Sequence, residues 1–335
     1  MEQKYTNTIP KEEFKKYTQL PYTEKIQISK EIIQEFLEDK NPEEIYISSS
    51  FGKDSVALID LVRRENKDIT IAYVNTGMEQ PTCVQLSKKY ENVLTITPKM
   101  HMEEIIQKYG YILPIGKEKT NTIELCRKNL WEGKYDTVRV RKMRGDFGEK
   151  SLFNFSKYQH ILLAPFKISD KCCHYLKIEP FTRLRKEYGY KYLFTGVTYD
   201  ESRMRHNNLL QHGFNTLRGQ SRPLGHWSSS DVLRYITEQK LEIASCYGDI
   251  VHDEKGYHTT KFDRTGCLCC PIGSHVKDTN DFQTLYKYQP GIWDYVVNKL
   301  GFKQVLEYFD IDYIGQPRTE DKEDVDDDTL DGWLP

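Results

Sequence analysis

One stretch, Glu44 to Val62 (EIYISSSFGKDSVALIDLV), restricts the fold of this chain more than any other. Ile45, Tyr46 and Ile47 form a short β-prone run, Ser48 to Ser55 is small and polar, and the apolar positions from Val56 to Val62 suit one face of a helix. The order is strand, tight loop, helix. A loop in that position turns its backbone N–H groups and the positive end of the helix dipole toward whatever sits above Ser50 to Ser55, which makes it an anion site. Gly52 permits close backbone approach, Lys53 adds a positive charge, and the hydroxyls of Ser48, Ser50 and Ser55 can donate to phosphate oxygens. Asp54 would repel a bare phosphate, so it is expected to cap the helix or to meet a metal or a protonated group. The first glycine and four-residue spacer of the GxxxxGK[ST] phosphate loop are missing. Taken alone, the octapeptide also allows the plainer reading of a Ser/Gly turn ahead of a core helix.

The flanking sequence extends the pattern. Asp68 to Val74 (DITIAYV) predicts a second strand, followed directly by Asn75, Thr76 and Gly77. Strand, helix and strand within about 30 residues make a βαβ unit, right-handed and parallel. Ligands of open parallel sheets sit at the carboxyl ends of the strands, where SSSFGKDS and NTGMEQPT both fall. Asn92 to Thr97 and Tyr192 to Val197 predict further strands, and His101 to Tyr109 a helix stopped by Gly110. Residues 1–40 read as polar and helical, with Ile26, Ile28, Ile32, Ile33 and Phe36 forming the face that covers the sheet, until Asn41-Pro42 stops them. Residues 117–160 lose clear periodicity. The expected class is α/β: an open, mostly parallel twisted sheet with helices on both faces, plus a smaller helical C-terminal region marked by Leu285, Tyr286, Ile292, Trp293, Val296 and Val297.

A length of 335 residues with 38% hydrophobic content allows a sizeable core and is long for one α/β domain. The formal charge of −2 gives no bulk attraction to nucleic acid or membrane. The chain contains no apolar run of about 18 residues, and its start lacks an apolar signal core. The expected location is cytoplasmic, with no membrane partner.

Eight cysteines without an export signal argue against a disulfide framework and for metal or redox use. Cys83, Cys126 and Cys246 stand alone in the sequence, whereas the others fall in KCCHYLKIEPF (171–181) and GCLCCPIG (266–273). The adjacent Cys172 and Cys173 cannot easily form a relaxed disulfide and suit a cluster or a metal. Cys267 and Cys270 have the C-x-x-C spacing that places two sulfurs around one metal centre. A Zn²⁺ site on the same thiols, with His174 or His275, is the rival reading, and buried unligated cysteines are the plain one.

These motifs carry a resemblance. SSSFGKDS resembles the SxGxDS signature of the PP-loop (adenine nucleotide α-hydrolase) superfamily, and its SSSFG opening is most similar to the phosphoadenosine-phosphosulfate (PAPS) reductase family. NTGMEQPTC resembles the TG-x-x-x-P-x-T element that follows the second strand in that family. In TGVTYDESRMR, the residues Gly196, Glu201, Ser202 and Arg205 match a family element, and RPLGHWSSSDVLRYI matches PL-x-x-W-x-x-x-DV-x-x-YI, taken here as structural and orienting the cluster end of the domain. A CC pair about ninety residues before a CxxC pair is similar to the arrangement that holds a [4Fe–4S] cluster in the adenosine-phosphosulfate (APS) reductase branch, where Lys177 and Pro180 also have counterparts. The resemblance covers roughly residues 40–275.

It implies an adenine nucleotide on Ser48, Ser50, Phe51, Gly52, Lys53, Asp54, Ser55, Thr76, Gly77, Gly196, Glu201 and Ser202. It also implies a [4Fe–4S] cluster on Cys172, Cys173, Cys267 and Cys270, with Zn²⁺ as the alternative. Lys53, Asp54 and Arg205 would serve the reacting centre. The implied organisation is an N-terminal helical extension (1–40), a nucleotide domain with the cysteine site (41–275), a helical region (276–318) and an acidic tail (319–335), read as disordered or weakly interacting.

Sulfonucleotide reductases attack PAPS or APS with a cysteine in an ECGLH-like segment near the C-terminus, and no cysteine follows Cys270 here. The first expectation is therefore an enzyme using ATP with Mg²⁺ that releases pyrophosphate, adenylates an acceptor and replaces the adenylated oxygen by sulfur. The combination is similar to DndC-like proteins of DNA phosphorothioation and to cluster-containing tRNA thiolation enzymes. The implied partners are DNA or RNA and a cysteine desulfurase or other sulfur donor protein. On this reading Arg139, Arg141, Lys142 and Arg144, with the aromatic segment Phe153 to Tyr158, approach the nucleic acid; otherwise the run is a solvated face. The alternatives are a PAPS or APS reductase that uses Cys269, the fifth thiol of the clusters, or another thiol already present, and a non-catalytic nucleotide-binding protein with a structural Zn or cluster site.

Overall fold

The computed structural model describes residues 8–315, and the expected acidic tail at 319–335 lies outside the described residues. The described chain forms two compact units: residues up to Pro98 with Glu179–Gly266, and Lys99–Ile178 with the residues from Cys267 onward. The stretch expected as one domain, 41–275, is therefore shared between both.

In the first unit, α1 (Lys11–Gln19) and α2 (Tyr22–Glu38) precede the sheet. The covered face of α2 differs from expectation: Ile32, Ile33 and Phe36 are buried, but Ile26 and Ile28 are only half-buried. Lys25 and Ser29 take the inner positions because each finds a polar partner there. Lys25 Nζ lies 2.8 Å from Asp231 Oδ2, and Ser29 Oγ donates to the Pro223 carbonyl (2.8 Å) while accepting from Trp227 Nε1 (2.8 Å). Strand β1 (Ile45–Ser49) then runs into α3 (Lys53–Glu65), β2 (Thr70–Val74) and β3 (Val93–Ile96), as the sequence predicts, with an unforeseen short helix α4 (Pro81–Ser87) before β3.

The second unit begins with α5 (Met102–Lys108), capped by His101 and Glu104 in a capping box. Residues 117–160 are more regular than expected, with α6 (Lys117–Trp131), α7 (Val138–Arg144) and a 3₁₀ segment at Ser156–Leu163. The reason is chemical. The buried side of α6 is Lys119, Thr120, Thr122, Ile123 and Cys126, too polar to show as a hydrophobic period. From α6, the Arg127 guanidinium donates to the carbonyls of Ile161, Leu162, Ala164 and Phe166 at 2.7–2.9 Å and pins the end of the 3₁₀ segment. The single turn α8 (Lys171–Cys173) continues as a π-helical turn, His174–Ile178.

The chain re-enters the first unit as α9 (Glu179–Tyr188), β4 (Tyr192–Thr195), α10 (Arg203–His212), β5 (Gln220–Ser221) and α11 (Ser229–Glu238), then adds an unforeseen hairpin, β6 (Ile250–Asp253) and β7 (Gly256–Thr259). The sheet has the order β3-β2-β1-β4-β5, and every pairing is parallel. Strand direction of growth reverses between β1 and β4, the position at which open parallel sheets open a crevice for ligands. Phe181 of α9 stacks on Tyr46 (centroids 6.0 Å apart), whereas Phe36 of α2 meets Phe194 (4.9 Å), on the opposite side of the pleat from Leu193. Helices thus cover both faces, as expected for the class.

The second unit resumes with α12 (Asp281–Tyr288), α13 (Pro290–Asp294) and α14 (Lys303–Tyr308). Leu285, Val296 and Val297 are buried as predicted, and Tyr286 is exposed. Among the described residues no helix is long and apolar enough to cross a membrane.

Candidate nucleotide loop and thiol cluster

The β1–α3 loop is built by side chains that hold its backbone. Ser49 Oγ accepts from Phe51 N (2.9 Å), and Ser55 Oγ lies 3.4 Å from Ser50 Oγ and accepts from Ser50 N (3.3 Å). Ser48, expected to donate to phosphate, lies inside β1 in register with Ala72 and Thr195, and Ser49, the last residue of β1, supports the loop. Phe51 adopts the left-handed region (φ 54°), and its ring is fully buried between Tyr73 and Tyr90, 5.2 and 5.3 Å away. The expected nucleotide contact by Phe51 is therefore corrected for its side chain: the ring is the anchor beneath the loop. Its burial offsets the strain of positive φ at a bulky residue, typically 1–3 kcal/mol.

Gly52 is the N-cap of α3, and Asp54 lies in the first turn, so Asp54 does not cap the helix. It meets a protonated group instead, with Lys53 Nζ 2.9 Å from Asp54 Oδ1 and Lys53 buried. A Cβ on Gly52 would stand 2.7 Å from Thr265 Oγ1 and 3.0 Å from Tyr247 Oη. Lys53 N donates to Tyr247 Oη (3.0 Å), which is also 3.0 Å from Thr265 Oγ1. Burial, reinforced by the Asp54 charge, pushes the Tyr247 phenol well up, so it stays a neutral hydroxyl. Tyr247 and Thr265 roof the loop, and no local motif marks either residue.

The neighbouring loops complete the mouth. A Cβ on Gly196, at the end of β4, would lie 2.8 Å from the Asp54 carbonyl oxygen and 3.3 Å from Ser55 N, so glycine here lets β4 approach the start of α3. After β2, Gly77 has φ +77°, and the Glu79 carboxylate accepts from Thr76 N (2.8 Å) and Thr76 Oγ1 (2.7 Å). Ser202 is the N-cap of α10 and accepts from Arg205 N (3.2 Å). Glu201 pairs with Arg264 (3.0 Å) and Arg205 (3.6 Å), leaving the Arg205 side chain about half exposed. Arg222, which the sequence reading absorbed into a structural motif, is buried at the end of β5 and donates to Asn208 and the Gly213 carbonyl. Burial and the nearby Arg205 hold it down at about 10. The RPLGHW…YI motif belongs to this nucleotide-loop unit and not to the cysteine unit: Ser228 and Asp231 form the capping box of α11, and Val232, Leu233, Tyr235 and Ile236 are buried.

All four expected ligands lie in the second unit, and all eight cysteines are unbridged. Cys270 N donates to the Cys267 carbonyl (3.0 Å), closing the C-x-x-C turn. Cys173 is pulled down to about 5 by the hydrogen bond from Cys172 and, against the cost of burial, by Lys117 and Lys177. Burial, Cys267 and Cys173 raise Cys270 to about 11. Cys172 is raised in turn, by the same bond to Cys173, by burial, and by the charges of Cys269 and Cys270. The two motifs therefore share one electrostatic neighbourhood. Among the described residues no three or more His, Cys, Asp or Glu side chains form a group that could hold a single metal ion. An Fe–S cluster spreads its thiolates over several irons and asks for a wider set. His174 is exposed with its ring edge on Tyr175 (5.0 Å).

The basic run is largely engaged within its own unit. Arg144 pairs with Asp146 (2.6 Å), Arg141 with Asp146 (3.8 Å), and Lys142 with Glu118 (2.8 Å). Phe155 and Tyr158 point into the core.

Residues 44–112 and 117–272 match the model of the phosphoadenosine phosphosulfate reductase domain. The chain belongs to the PAPS reductase family of the PP-loop superfamily. It is 21% identical to the adenosine 5'-phosphosulfate reductase of Bacillus velezensis over 235 residues, 68% of this chain and 73% of that protein. Among solved structures, it is similar to the PAPS reductase of Candida auris in complex with phosphate (18% identity, TM-score 0.38, 75% of this chain and 98% of that one). It is also similar to the U34-tRNA thiolase NcsA of Methanococcus maripaludis with its [4Fe-4S] cluster (14% identity, TM-score 0.34, 90% and 86%).

Proposed function

We propose that this PAPS reductase family member is a PP-loop enzyme that splits ATP into an adenylated acceptor and pyrophosphate and then places sulfur on the acceptor, a nucleic acid. Ser50, Gly52 and Ser55 would receive the pyrophosphate, Lys53 and Arg205 would meet the charge that develops on it, and Asp54 would hold Mg²⁺ once Lys53 turns to phosphate. Thr76, Gly77, Gly196, Glu201 and Ser202 would border the nucleoside. Cys172, Cys173, Cys267 and Cys270 would hold a [4Fe–4S] cluster, which when bound supplies electrons or a sulfur-binding iron; a cysteine desulfurase or other donor protein would deliver the sulfur.

The observation that carries this reading over a reductase is that no cysteine follows Cys270 in the sequence, while Cys269, the clustered thiol outside the expected ligand set, is buried. A sulfonucleotide reductase needs an accessible thiolate to attack sulfur. Cys269 is 1% exposed, and burial together with Cys267 and Cys270 pushes its thiol well up. The similarity to an APS reductase keeps sulfite release from APS or PAPS as the second reading.

The deciding experiment purifies the protein without oxygen, measures iron and sulfide, and assays pyrophosphate release from ATP with DNA or RNA beside sulfite release from PAPS and APS. Iron with nucleic-acid-dependent pyrophosphate release is expected; sulfite release would make the protein a reductase, and ATP binding without turnover a binding protein. Surface ion pairs contribute only about 0–1 kcal/mol each, so the paired arginines remain able to turn to phosphates. Alanine at Arg139, Arg141 and Arg144 together is expected to weaken salt-dependent nucleic-acid binding, and unchanged binding removes this contact.

A further inference from the structure

Cys83 and Cys246 stand more than 160 residues from each other in the sequence and apart from both cysteine clusters, yet the fold brings them together. Cys83 lies in the first turn of α4, and Cys246 in the 3₁₀ turn Ser245–Tyr247. The two thiols lie close enough to perturb one another's ionisation, and Cys83 also meets Thr265. Cys246 N lies 3.3 Å from Thr82 Oγ1, so two adjacent residues of α4 hold this one turn. Both cysteines are nearly fully buried, at 1% and 4% exposure. The residue after Cys246 is Tyr247, whose hydroxyl takes the Lys53 N–H, and Thr265 fills the space above Gly52. The thiol pair and the roof of the β1–α3 loop are thus one structure.

We infer that Cys83 and Cys246 form a reversible disulfide with small hydroperoxides, and that this bond locks the Tyr247–Thr265 roof and lowers nucleotide affinity. The second half of this inference rests on the loop being the nucleotide site. Burial excludes bulky disulfide oxidants and admits hydrogen peroxide. The neighbouring Cys83, the Thr82 hydroxyl and the N–H groups of Cys246 and Tyr247 lower the Cys246 thiol against the cost of burial, and Cys246 is taken as the attacking sulfur. Its thiolate attacks one peroxide oxygen, the O–O bond breaks, and Cys246 becomes a sulfenic acid while the departing hydroxide takes the proton of the Cys83 thiol. The Cys83 thiolate then attacks the Cys246 sulfur, forming S–S and expelling a second hydroxide that recovers the proton lost by Cys246. Two thiols and one hydrogen peroxide give one disulfide and two waters, and a dithiol reductant reverses the change. Binding phosphate at Lys53 N requires the Tyr247 hydroxyl to leave; a turn tethered to α4 resists that movement.

The test treats the full-length protein with hydrogen peroxide under anaerobic conditions, maps disulfides by mass spectrometry of proteolytic fragments, and measures ATP affinity before and after. A Cys83–Cys246 linked fragment is expected, with affinity falling about tenfold, an ordinary size for coupling between two sites, and returning with dithiothreitol. Cys83→Ser and Cys246→Ser should each bind ATP like the untreated protein and lose the peroxide response. Absence of the linked fragment overturns the inference. A linked fragment with unchanged ATP affinity overturns the lock, and failure of the untreated protein to bind ATP would overturn instead the reading of the loop.

Discussion

On the proposed reading of the loop the Tyr247 hydroxyl competes with a phosphate for the start of α3, and removing it should move stability and affinity in opposite directions. Tyr247→Phe keeps the buried ring and deletes only the oxygen that accepts the Lys53 N–H (3.0 Å) and bonds to Thr265 (3.0 Å). A buried donor left without a partner costs about 1–3 kcal/mol, so the nucleotide-free variant should lose that much in chemical denaturation. In the wild type a phosphate must displace the hydroxyl before it can take the same N–H. In the variant the N–H is orphaned until a phosphate arrives, and binding recovers the deficit. Since 1.4 kcal/mol is a factor of ten, the gain in ATP affinity should lie between about 5-fold and about 140-fold. Equilibrium titration with ATP, beside urea unfolding of the nucleotide-free protein, reads both numbers. A variant that is destabilised and also binds ATP more weakly would refute the reasoning, because the hydroxyl would then be a ligand contact and not a competitor.

Further outcomes follow from the same geometry. Gly196→Ala drives a methyl group into the Asp54 carbonyl (2.8 Å), so about 1–3 kcal/mol of stability should be lost together with ATP affinity; Gly77→Ala meets no atom within 4 Å and should cost only the backbone strain of φ +77°, about 1–2 kcal/mol. Denaturant midpoints for the two variants separate a steric from a conformational cause. His226 is fully buried and held down at about 4 by burial. Above pH 6.5 it is neutral folded or unfolded; below that, the unfolded chain takes up a proton that the folded one refuses, so stability should fall by about 3 kcal/mol between pH 6.5 and 4. His226→Gln should flatten that part of the melting-temperature profile, and an unaltered profile would show that other groups govern it. Replacing Cys173 or Cys270 by Ser should abolish the iron content of anaerobically purified protein, whereas Cys126→Ser, deep in α6, should leave it unchanged.

What the sequence made legible was local. Ile45 to Val62 declares strand, loop and helix because a β-branched run, a serine-rich turn with Gly52 and a 3.6-residue apolar period follow one another without conflict. The CC and CxxC pairs were equally open as motifs, since their spacing is written in consecutive residues. Helix α6 stayed hidden because Thr120, Thr122 and Cys126 take positions that aliphatic residues usually mark, and the inner face of α2 was misplaced because Lys25 and Ser29 are buried against Asp231, Pro223 and Trp227, partners about 200 residues away.

The parts of the site that were illegible share one cause. Phe51 sits amid the most informative octapeptide of the chain, yet nothing in that octapeptide says whether its ring faces the ligand or the core; Tyr73 and Tyr90 decide it by enclosing the ring. Tyr247, Thr265 and Cys246 lie in stretches without a recognisable pattern and acquire meaning only when the fold lays them over Gly52 and beside Cys83. A motif fixes which backbone groups can bind an anion, but the affinity of those groups depends on what they are bonded to while they wait. In this protein that partner is a neutral tyrosine hydroxyl, which on the proposed reading a phosphate oxygen would have to replace, so the turn that carries it would tune binding.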